Sequence, residues 1–534
     1  MPKKDKRKKK KKELHLPIKA LFCGLVFFVE LILVILLAYF AITINAVGDY
    51  IYVPTILLLI IDFILGIFIL NTKVQVDFKV SWVIVVLIFP FAGAILYILF
   101  ANKITTKKKK ELRFSKLNKF LSSTKCDSTD VINEIKVNNE DVANIVTYID
   151  KSCLASVHKN SEVKYYNYGQ KGFPVILDEL KKAKKFIFLE YFIISNGIMF
   201  GSILDILKEK AKEGLDVRII YDDFGSNKGK MPNIFKEATK NGIKCLSFNR
   251  VRPVLDIRQN NRDHRKIIVI DGVVGFTGGC NLADEYINEE VRFGDWRDNI
   301  CLVKGEAVDG LTSLFVSTWN LLYKRKNKEE PLDFNIHSFK ENNEELHTKV
   351  NCSGYVSIFG EVPFDGEDGA KSVILSMISK AKKSIKISTP YLILDSELTT
   401  ALCVAAKSGI DVSIVTPGIP DKKIVNFMTK SYYPSLMFAG CKIYEYTPGF
   451  NHAKIVLIDD EYALTGTTNL DYRSLYLHFE NCIFLYQNEC IKDIKDDLDD
   501  MIKSSTLQDK NKYINASGFK RIIWGLLRLI APLI

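Results

Sequence analysis

The chain has 534 residues, with 74 Lys plus Arg against 62 Asp plus Glu and a net charge of +12. Its 48 % apolar and 25 % charged content excludes a disordered chain, and the mixed polarity of most of the sequence excludes a pure membrane bundle. The charge excess is local: residues 1–19 carry net +8 and residues 102–119 net +7, leaving −3 for everything else. The bulk of the chain therefore lacks the basic face that nucleic-acid binding needs, whereas anionic lipid attracts each juxtamembrane Lys or Arg by about 1 kcal/mol.

Between the two clusters lie three apolar stretches, at residues 20–44, 52–70 and 80–100. Each is long enough to cross a hydrocarbon core of about 30 Å. The first lacks the small-residue cleavage site of a signal peptide. The basic tail places the N-terminus inside, the loop at 45–51 outside, and the loop carrying Lys73 and Lys79 back inside. A third full crossing would send Lys107 to Lys110 outside, against the charge rule. Either that stretch turns back at Pro90 and Gly93, or the N-terminus is not inside. Eleven scattered cysteines, odd in number and without a CxxC, fit neither a disulfide framework nor a zinc site, and favour a reducing, cytoplasmic side for the C-terminal region. Glu30 and Asp62 lie mid-span in consecutive stretches. A membrane carboxylate is a functional candidate, but a pair of acids that helps two helices associate is the plainer reading.

From about residue 140, strands and helices alternate. Residues 185–194 read as a strand, 199–214 as a helix and 215–221 as a strand. The order returns with a strand at 383–391, a helix ending at Gly409 and a strand at 410–416. Gly214-Leu-Asp-Val and Gly409-Ile-Asp-Val close the matching helices. The expectation is an α/β protein of two similar halves with mostly parallel sheets and a pseudo-twofold axis. The organisation reads as a basic tail (1–19), membrane-embedded helices (20–101), a basic linker (102–135), a first half (136–323), a charged linker (324–347), a second half (348–515) and an amphipathic C-terminal helix (516–534). On that last helix Phe519, Ile523, Leu526 and Leu527 share a face, with Ile530 at its edge. The face fits a lipid interface or an ordinary core contact.

The repeat is sharpest in two segments. Residues 264–282 read HRKIIVIDGVVGFTGGCNL and residues 452–470 read HAKIVLIDDEYALTGTTNL. Both give His, Lys at +2, Asp at +7, Thr-Gly at +13 and +14, Asn at +17 and Leu at +18. Side chains alternate along a strand, so His264 and Lys266 point one way, as do His452 and Lys454, while Asp271 and Asp459 are out of phase and read as local anchors. Brought together across a twofold axis, the pairs place two imidazoles and two ammonium groups in one pocket. Asn281 and Asn469 add neutral donors. Such a pocket suits a phosphodiester: one imidazole attacks phosphorus and the other protonates the leaving oxygen, then deprotonates the next acceptor. Asp298 and Glu480 are the candidates to hold each ring in the right tautomer. No Asp/Glu/His cluster has metal-ligand spacing, so metal-independent chemistry without a cofactor is expected. His15, His158, His337, His347 and His478 read as structural histidines.

Through His264-x-Lys266-x4-Asp271 and His452-x-Lys454-x4-Asp459, the chain resembles the phospholipase D superfamily. Within it, Trp82, Pro90, Gly93, Tyr97 and Phe100, the Trp296-Arg-Asp298 phrase, the His-Phe-Glu480-Asn phrase and the amphipathic end make residues 75–534 similar to bacterial cardiolipin synthases. The resemblance implies a catalytic set of His264, Lys266, Asp271, His452, Lys454 and Asp459. It also implies phosphatidylglycerol and other anionic phospholipids as partners, at a multi-pass position in the cell membrane. Its reaction transfers a phosphatidyl group between two phosphatidylglycerols through a phosphohistidine, with release of glycerol. By superfamily analogy His264 is the nucleophile and His452 the general acid/base, although the near-equivalent halves leave either assignment open. Rivals are a lipid hydrolase or another head-group transferase on the same site, a membrane-tethered nuclease, and a non-catalytic scaffold. The sequence departs from the family at Gly279 and Thr467, where Ser is common, and in its polylysine tail and extra first span.

Overall fold

Apolar strands bounded by turn-forming residues organise most of the chain. The computed structural model describes residues 18–43, 45–72, 74–101, 117–251, 260–327, 350, 352–363 and 367–533. The basic tail, Lys107 to Lys110 and most of the charged linker lie outside the described residues. The described residues form two compact units, one of residues 18–101 and the other of the described residues from 117 onward.

The first unit contains helices Ile18–Thr43 and Asn45–Leu70, helix Val76–Ile88, and a short helix Pro90–Leu96 that ends in a π-turn, Tyr97–Ala101. Pro90 has no N–H and disfavours a helical residue before it, so Phe89 leaves the helix at φ −125° and ψ 78°. The chain then folds back. A Cβ on Gly93 would stand 2.5 Å from the Val85 carbonyl oxygen, although eight positions of straight helix span about 12 Å. Only glycine permits this approach. Trp82 meets Tyr97 edge-on at 5.5 Å across the fold. Glu30 caps the new helix, accepting hydrogen bonds from the N–H groups of Phe91 at 3.4 Å and Ala92 at 3.2 Å. The Glu30 carboxylate thus has a defined task, satisfying the helix end that Pro90 creates, while Asp62 is buried alongside. Many side chains of the first two helices are apolar and exposed, Leu25, Phe28, Leu31, Phe63 and Ile64 among them. Among the described residues, no helix is long and apolar enough to cross a membrane.

The second unit holds the two expected halves, and their strand orders coincide. The first sheet runs Ser161–Tyr166, Ile300–Gly305, Val274–Gly278, Lys266–Ile270, Phe186–Tyr191, Asp216–Asp222, Lys244–Phe248. The second runs Tyr355–Glu361, Glu480–Tyr486, Tyr462–Gly466, Ile455–Ile458, Ser384–Ser388, Asp411–Pro417, Lys442–Tyr446. Short strands Val157–His158 and Ser505–Leu507 extend its two edges. Helices Val308–Asn327 and Cys490–Lys503 contribute to a core shared by both sheets, where Phe188, Leu311, Phe315 and Trp319 meet Val356, Ile455, Ile483 and Leu498. The architecture is therefore α/β with internal duplication.

Two expectations need correction. The sheets are mixed rather than mostly parallel: Phe186–Tyr191, Asp216–Asp222 and Lys244–Phe248 pair in parallel, and the other pairings of the first sheet are antiparallel. The cause is the motif itself, whose strand turns at once into a tight hairpin. Asp271 and Gly272 take φ of +53° and +69°, Asp459 and Asp460 +54° and +58°, the left-handed pair at the centre of a tight turn within the three-residue connections from Ile270 to Val274 and from Ile458 to Tyr462. The first half also begins later than residue 136. Helix Glu140–Ser152 packs against helix Gly369–Lys380 of the second half, with Asp141 paired to Lys380 at 2.9 Å, and Val157–His158 joins the second sheet.

Candidate active site

Each histidine of the repeated motif sits just before its strand, and the backbone there is stitched into the opposite half. The His264 N–H donates to the Phe479 carbonyl at 2.9 Å, and the His452 N–H to the Arg297 carbonyl at 2.7 Å. Strand Gly449–Asn451 pairs in parallel with Asp295–Arg297, and Asp263 bridges Phe479 in the same sense. Residues 297 and 479 each precede a carboxylate. The main-chain pairing therefore delivers Asp298 to His452 and Glu480 to His264.

The resulting side-chain contacts are short. His264 Nδ1 lies 2.9 and 3.0 Å from the two Glu480 carboxylate oxygens. His452 Nδ1 lies 2.5 Å from Asp298 Oδ2. With Nδ1–H donated to a carboxylate, each ring carries its lone pair on Nε2, the atom that can attack phosphorus or accept a proton. The ammonium groups are fixed by their own motif: Lys266 Nζ donates to the His264 carbonyl at 2.6 Å, and Lys454 Nζ to that of His452. Arg297, whose carbonyl holds the His452 backbone, is itself clamped by the carboxylate of Asp497 at 2.5 Å.

The two histidines, two lysines and two carboxylates are all buried, and burial dominates the titration of the histidines, the lysines and Asp298. It holds both imidazoles well below the ordinary histidine value, with the nearby lysine charges acting in the same direction. The crossed main-chain and carboxylate pairings bring the two motifs together, close enough for the charges of Lys454 and His452 to bear on His264. Burial pulls Lys266 down to about 7 against the opposing carboxylate of Glu480, and pushes Asp298 up to about 7 against the cation of Lys454. Lys454 is lowered for the same reason as Lys266. Substrate phosphate would add to the counter-charge that Glu480 and Asp298 give the two lysines.

The remaining sequence candidates divide. Asp271 and Asp459, included in the catalytic set, stand apart from the pocket. Asp271 accepts from the N–H groups of Lys184, Lys185 and Phe186 at 2.7 to 2.9 Å, and Asp459 from those of Lys382, Lys383 and Ser384 at 2.7 to 2.8 Å. They pin the neighbouring strand to the hairpin, as the out-of-phase spacing predicts. Asn281 accepts from Ile193 N–H at 3.1 Å and donates to the Tyr286 hydroxyl at 2.6 Å. The equivalent Asn469 Oδ1 is buried with no hydrogen-bond partner among the described residues, so of the two motif asparagines only Asn469 keeps its amide oxygen uncommitted.

Four features escaped the sequence reading. The motif threonines hold the partner half: Asn299 donates to Thr465 at 3.0 Å and Asn481 to Thr277 at 2.8 Å. Thr467 donates to Glu480 Oε2 at 2.5 Å. At the matching position Gly279 leaves room that the Asp298 carboxylate fills, since a Cβ there would stand 1.8 Å from Oδ1. Lastly, His478 is not remote: its ring lies 5.6 Å from that of His264 and its Nδ1 3.6 Å from Glu480 Oε1. Its place two residues before Glu480, on the same side of an extended chain, is the signal that could have found it. His264, His478 and Glu480 present ligand atoms within 4.8 Å of one another, a geometry able to hold a metal ion if the His264–Glu480 hydrogen bond is given up. His452 sits among the rings of Tyr286, Trp296 and Phe450, and His264 beside Phe192.

Comparison with known proteins agrees with this geometry. A family model described as "Cardiolipin synthase, PLD-like domain" matches residues 176–315 and 374–502, one segment in each half. The chain belongs to the cardiolipin synthase family of the phospholipase D superfamily. It is 35 % identical over 460 residues to a cardiolipin synthase of Alkalihalophilus pseudofirmus, covering 85 % of this chain and 88 % of that one. Identity to a cardiolipin synthase of Staphylococcus aureus is 32 % over 465 residues, covering 85 % and 91 %. An uncharacterized protein of Streptococcus mutans is 37 % identical over 467 residues, covering 88 % and 99 %. Among solved structures, the phosphatidylserine synthase of Haemophilus influenzae Rd KW20 superposes with a TM-score of 0.51 over 70 % of this chain and 93 % of that one, at 15 % identity, a likeness of fold.

Proposed function

We propose that this phosphatidyltransferase is a cardiolipin synthase that joins two phosphatidylglycerols with loss of glycerol. The observation that carries the mechanism is the crossed pairing of each imidazole with the other half's carboxylate. His264 Nε2 attacks the phosphorus of the first lipid, forming a P–N bond. The P–O bond to the head-group glycerol breaks, and that oxygen takes the Nε2 proton of His452, which enters this step as the imidazolium with Asp298 and the bound phosphate as its counter-charges. Glycerol leaves. The terminal hydroxyl of a second phosphatidylglycerol then gives its proton to His452 and attacks phosphorus, the P–N bond breaks, and cardiolipin forms with both histidines restored. Lys266 and Lys454 bind the phosphate oxygens through their ammonium groups, and Asn281 and Asn469 through their amide N–H groups. Glu480 and Asp298 orient the rings and balance the positive charge that each acquires. The dry pocket favours a lipid hydroxyl over water as acceptor. No metal is assigned a step.

The membrane reading belongs to the same proposal. It rests on the apolar stretches of the sequence at residues 20–44 and 52–70, each long enough for a hydrocarbon core of about 30 Å. The fold-back at Pro90 makes the third stretch a hairpin. Two crossings and a hairpin are the arrangement that agrees with the charge rule read from the sequence. The catalytic unit then faces the cytoplasm, in keeping with the buried thiols of Cys280, Cys301 and Cys482.

The test is to supply purified enzyme with phosphatidylglycerol as sole lipid, in the presence of EDTA. Equal amounts of cardiolipin and glycerol support the reading. Phosphatidic acid as main product would make the enzyme a hydrolase.

A further inference from the structure

The C-terminal helix Gly518–Ile530 has two apolar faces, and the fold uses only one. Trp524 is 2 % exposed, with Tyr513 at 6.3 Å from its ring and Tyr433 of helix Lys423–Ala439 behind that. Phe519, Ile522 and Leu526, by contrast, are 74 %, 64 % and 56 % exposed, and Ile530 continues the row. Their spacing of three, four and four residues places them on one stripe. The face seen in the sequence is thus split: Ile523 and Leu527 turn towards the protein while Ile522 joins the outward row. A soluble protein seldom leaves such a row uncovered.

The charges beside the row have one sign. After Asp509 the chain carries Lys510, Lys512, Lys520, Arg521 and Arg528 and no acid. The Lys520 ammonium lies over the Trp524 ring at 4.7 Å, on the flank of the stripe. The surface also continues towards the second motif. The helix packs along Lys423–Ala439, whose first turns expose Ile424 and Phe427 and whose last exposes Phe438. Lys422, immediately before it, is close enough for its charge to depress the His452 imidazole. The terminal turn Ala531–Leu533 reaches helix Tyr472–Tyr476, just beyond the second motif.

We propose that this stripe is a membrane-docking surface, with an anionic bilayer as its occupant, and that it seats the mouth of the active site on the lipid from which substrate is drawn. An apolar row flanked by cations and free of acids matches an anionic interface, where apolar burial and charge attraction act together. A second copy of the chain would bring the same cations against themselves. The surface itself does not depend on the identity of the reaction.

The test uses the full chain in proteoliposomes of phosphatidylglycerol. A photo-reactive benzoylphenylalanine replaces Phe519, Ile522 or Leu526, one at a time, and, as a control, the exposed Val137, which has Glu134 and Glu140 three positions to either side. The first three should form lipid adducts and Val137 none, with yield falling about fivefold in neutral lipid or high salt, where charge attraction is lost. Adducts to a second protein chain, no adducts, or equal yield at Val137 would overturn the proposal. A triple variant, Phe519→Ser, Ile522→Ser and Leu526→Ser, separates docking from catalysis. Turnover of bilayer lipid should fall about fivefold while turnover of detergent-dispersed lipid is unchanged, because only the former needs docking. Equal loss in both would assign the row a structural role instead. Lipid adducts in a protein that makes no cardiolipin would uphold the surface and refute only the assigned reaction.

Discussion

Adding one methyl group at Gly279 should disable the enzyme without touching substrate. A Cβ at this position would stand 1.8 Å from Asp298 Oδ1, 2.6 Å from Cγ and 2.7 Å from Oδ2. Carbon contacts settle near ~3.5 Å, so the carboxylate must retreat by about 1 to 2 Å. It cannot do so and keep its 2.5 Å contact with His452 Nδ1 or its 2.9 Å bond from the Asn299 N–H. A misplacement of about 1 Å in a catalytic constellation costs on the order of 10²-fold. Complete loss of an imidazolium–carboxylate pair about 4 Å apart between charge centres, at an effective dielectric near 20, is worth about 4 kcal/mol or roughly 10³-fold. Gly279→Ala should therefore lower kcat by about 10² to 10³-fold, at the level of Asp298→Asn, with KM little altered because no phosphate contact is lost. The assay is cardiolipin formation from phosphatidylglycerol at saturating lipid, with thermal unfolding to show that the variant folds. Gly279→Ala at more than about a third of wild-type kcat would refute the argument that the glycine exists to admit the carboxylate.

Four further outcomes concern the same site. His264→Ala and His452→Ala should each reduce turnover by at least about 10⁴-fold in a folded protein, read by lipid product analysis. Only the His452 variant should still yield a radiolabelled protein–phosphate adduct if His264 is the nucleophile. Thr467→Val removes the hydroxyl donated to Glu480 and should cost about 10-fold in kcat, less than Gly279→Ala because Glu480 stays in place. The pH profile of kcat/KM should be a narrow bell near neutrality: below about 7 Asp298 takes a proton and His452 loses its counter-charge, and above about 7 Lys266 loses the charge that binds phosphate. A flat profile on both sides of neutrality would contradict these two assignments. Because burial lowers Lys266 from 10.5 to about 7, the unfolded chain binds the extra proton between those values, so this group makes stability rise with pH across that window. Lys266→Met should raise the melting temperature at neutral pH and flatten that slope, while abolishing turnover.

Much of this is legible in the sequence because duplication supplies its own control. Two copies of one motif name the histidines and lysines, and period-two alternation separates Asp271 and Asp459 from them, as their backbone bonds at the strand starts show. The turn at Pro90 and Gly93 is one of two readings that the sequence leaves open, and the backbone of Phe89 and Gly93 shows the chain folding back there. The partnership of acids and bases cannot. Asp298 and Glu480 are identifiable as acids near each motif, but their assignment depends on Arg297 and Phe479 pairing with the other half across more than 150 positions of chain. Local pattern carries no information about such pairing. The same limit hides the attachment of residues 140–158 to the second sheet. It also hides the role of His478, because a single ring on an extended segment gives no hint of what faces it.

The crossed pairs have a consequence for how such a protein can change. Duplication ordinarily yields a spare copy that is free to drift. Here neither copy is spare, because the proton chemistry of each motif is completed by an acid encoded about 150 to 220 positions away in the other. A lesion in one repeat is felt first at the histidine of its twin, so selection acts on the two repeats as a single inherited unit.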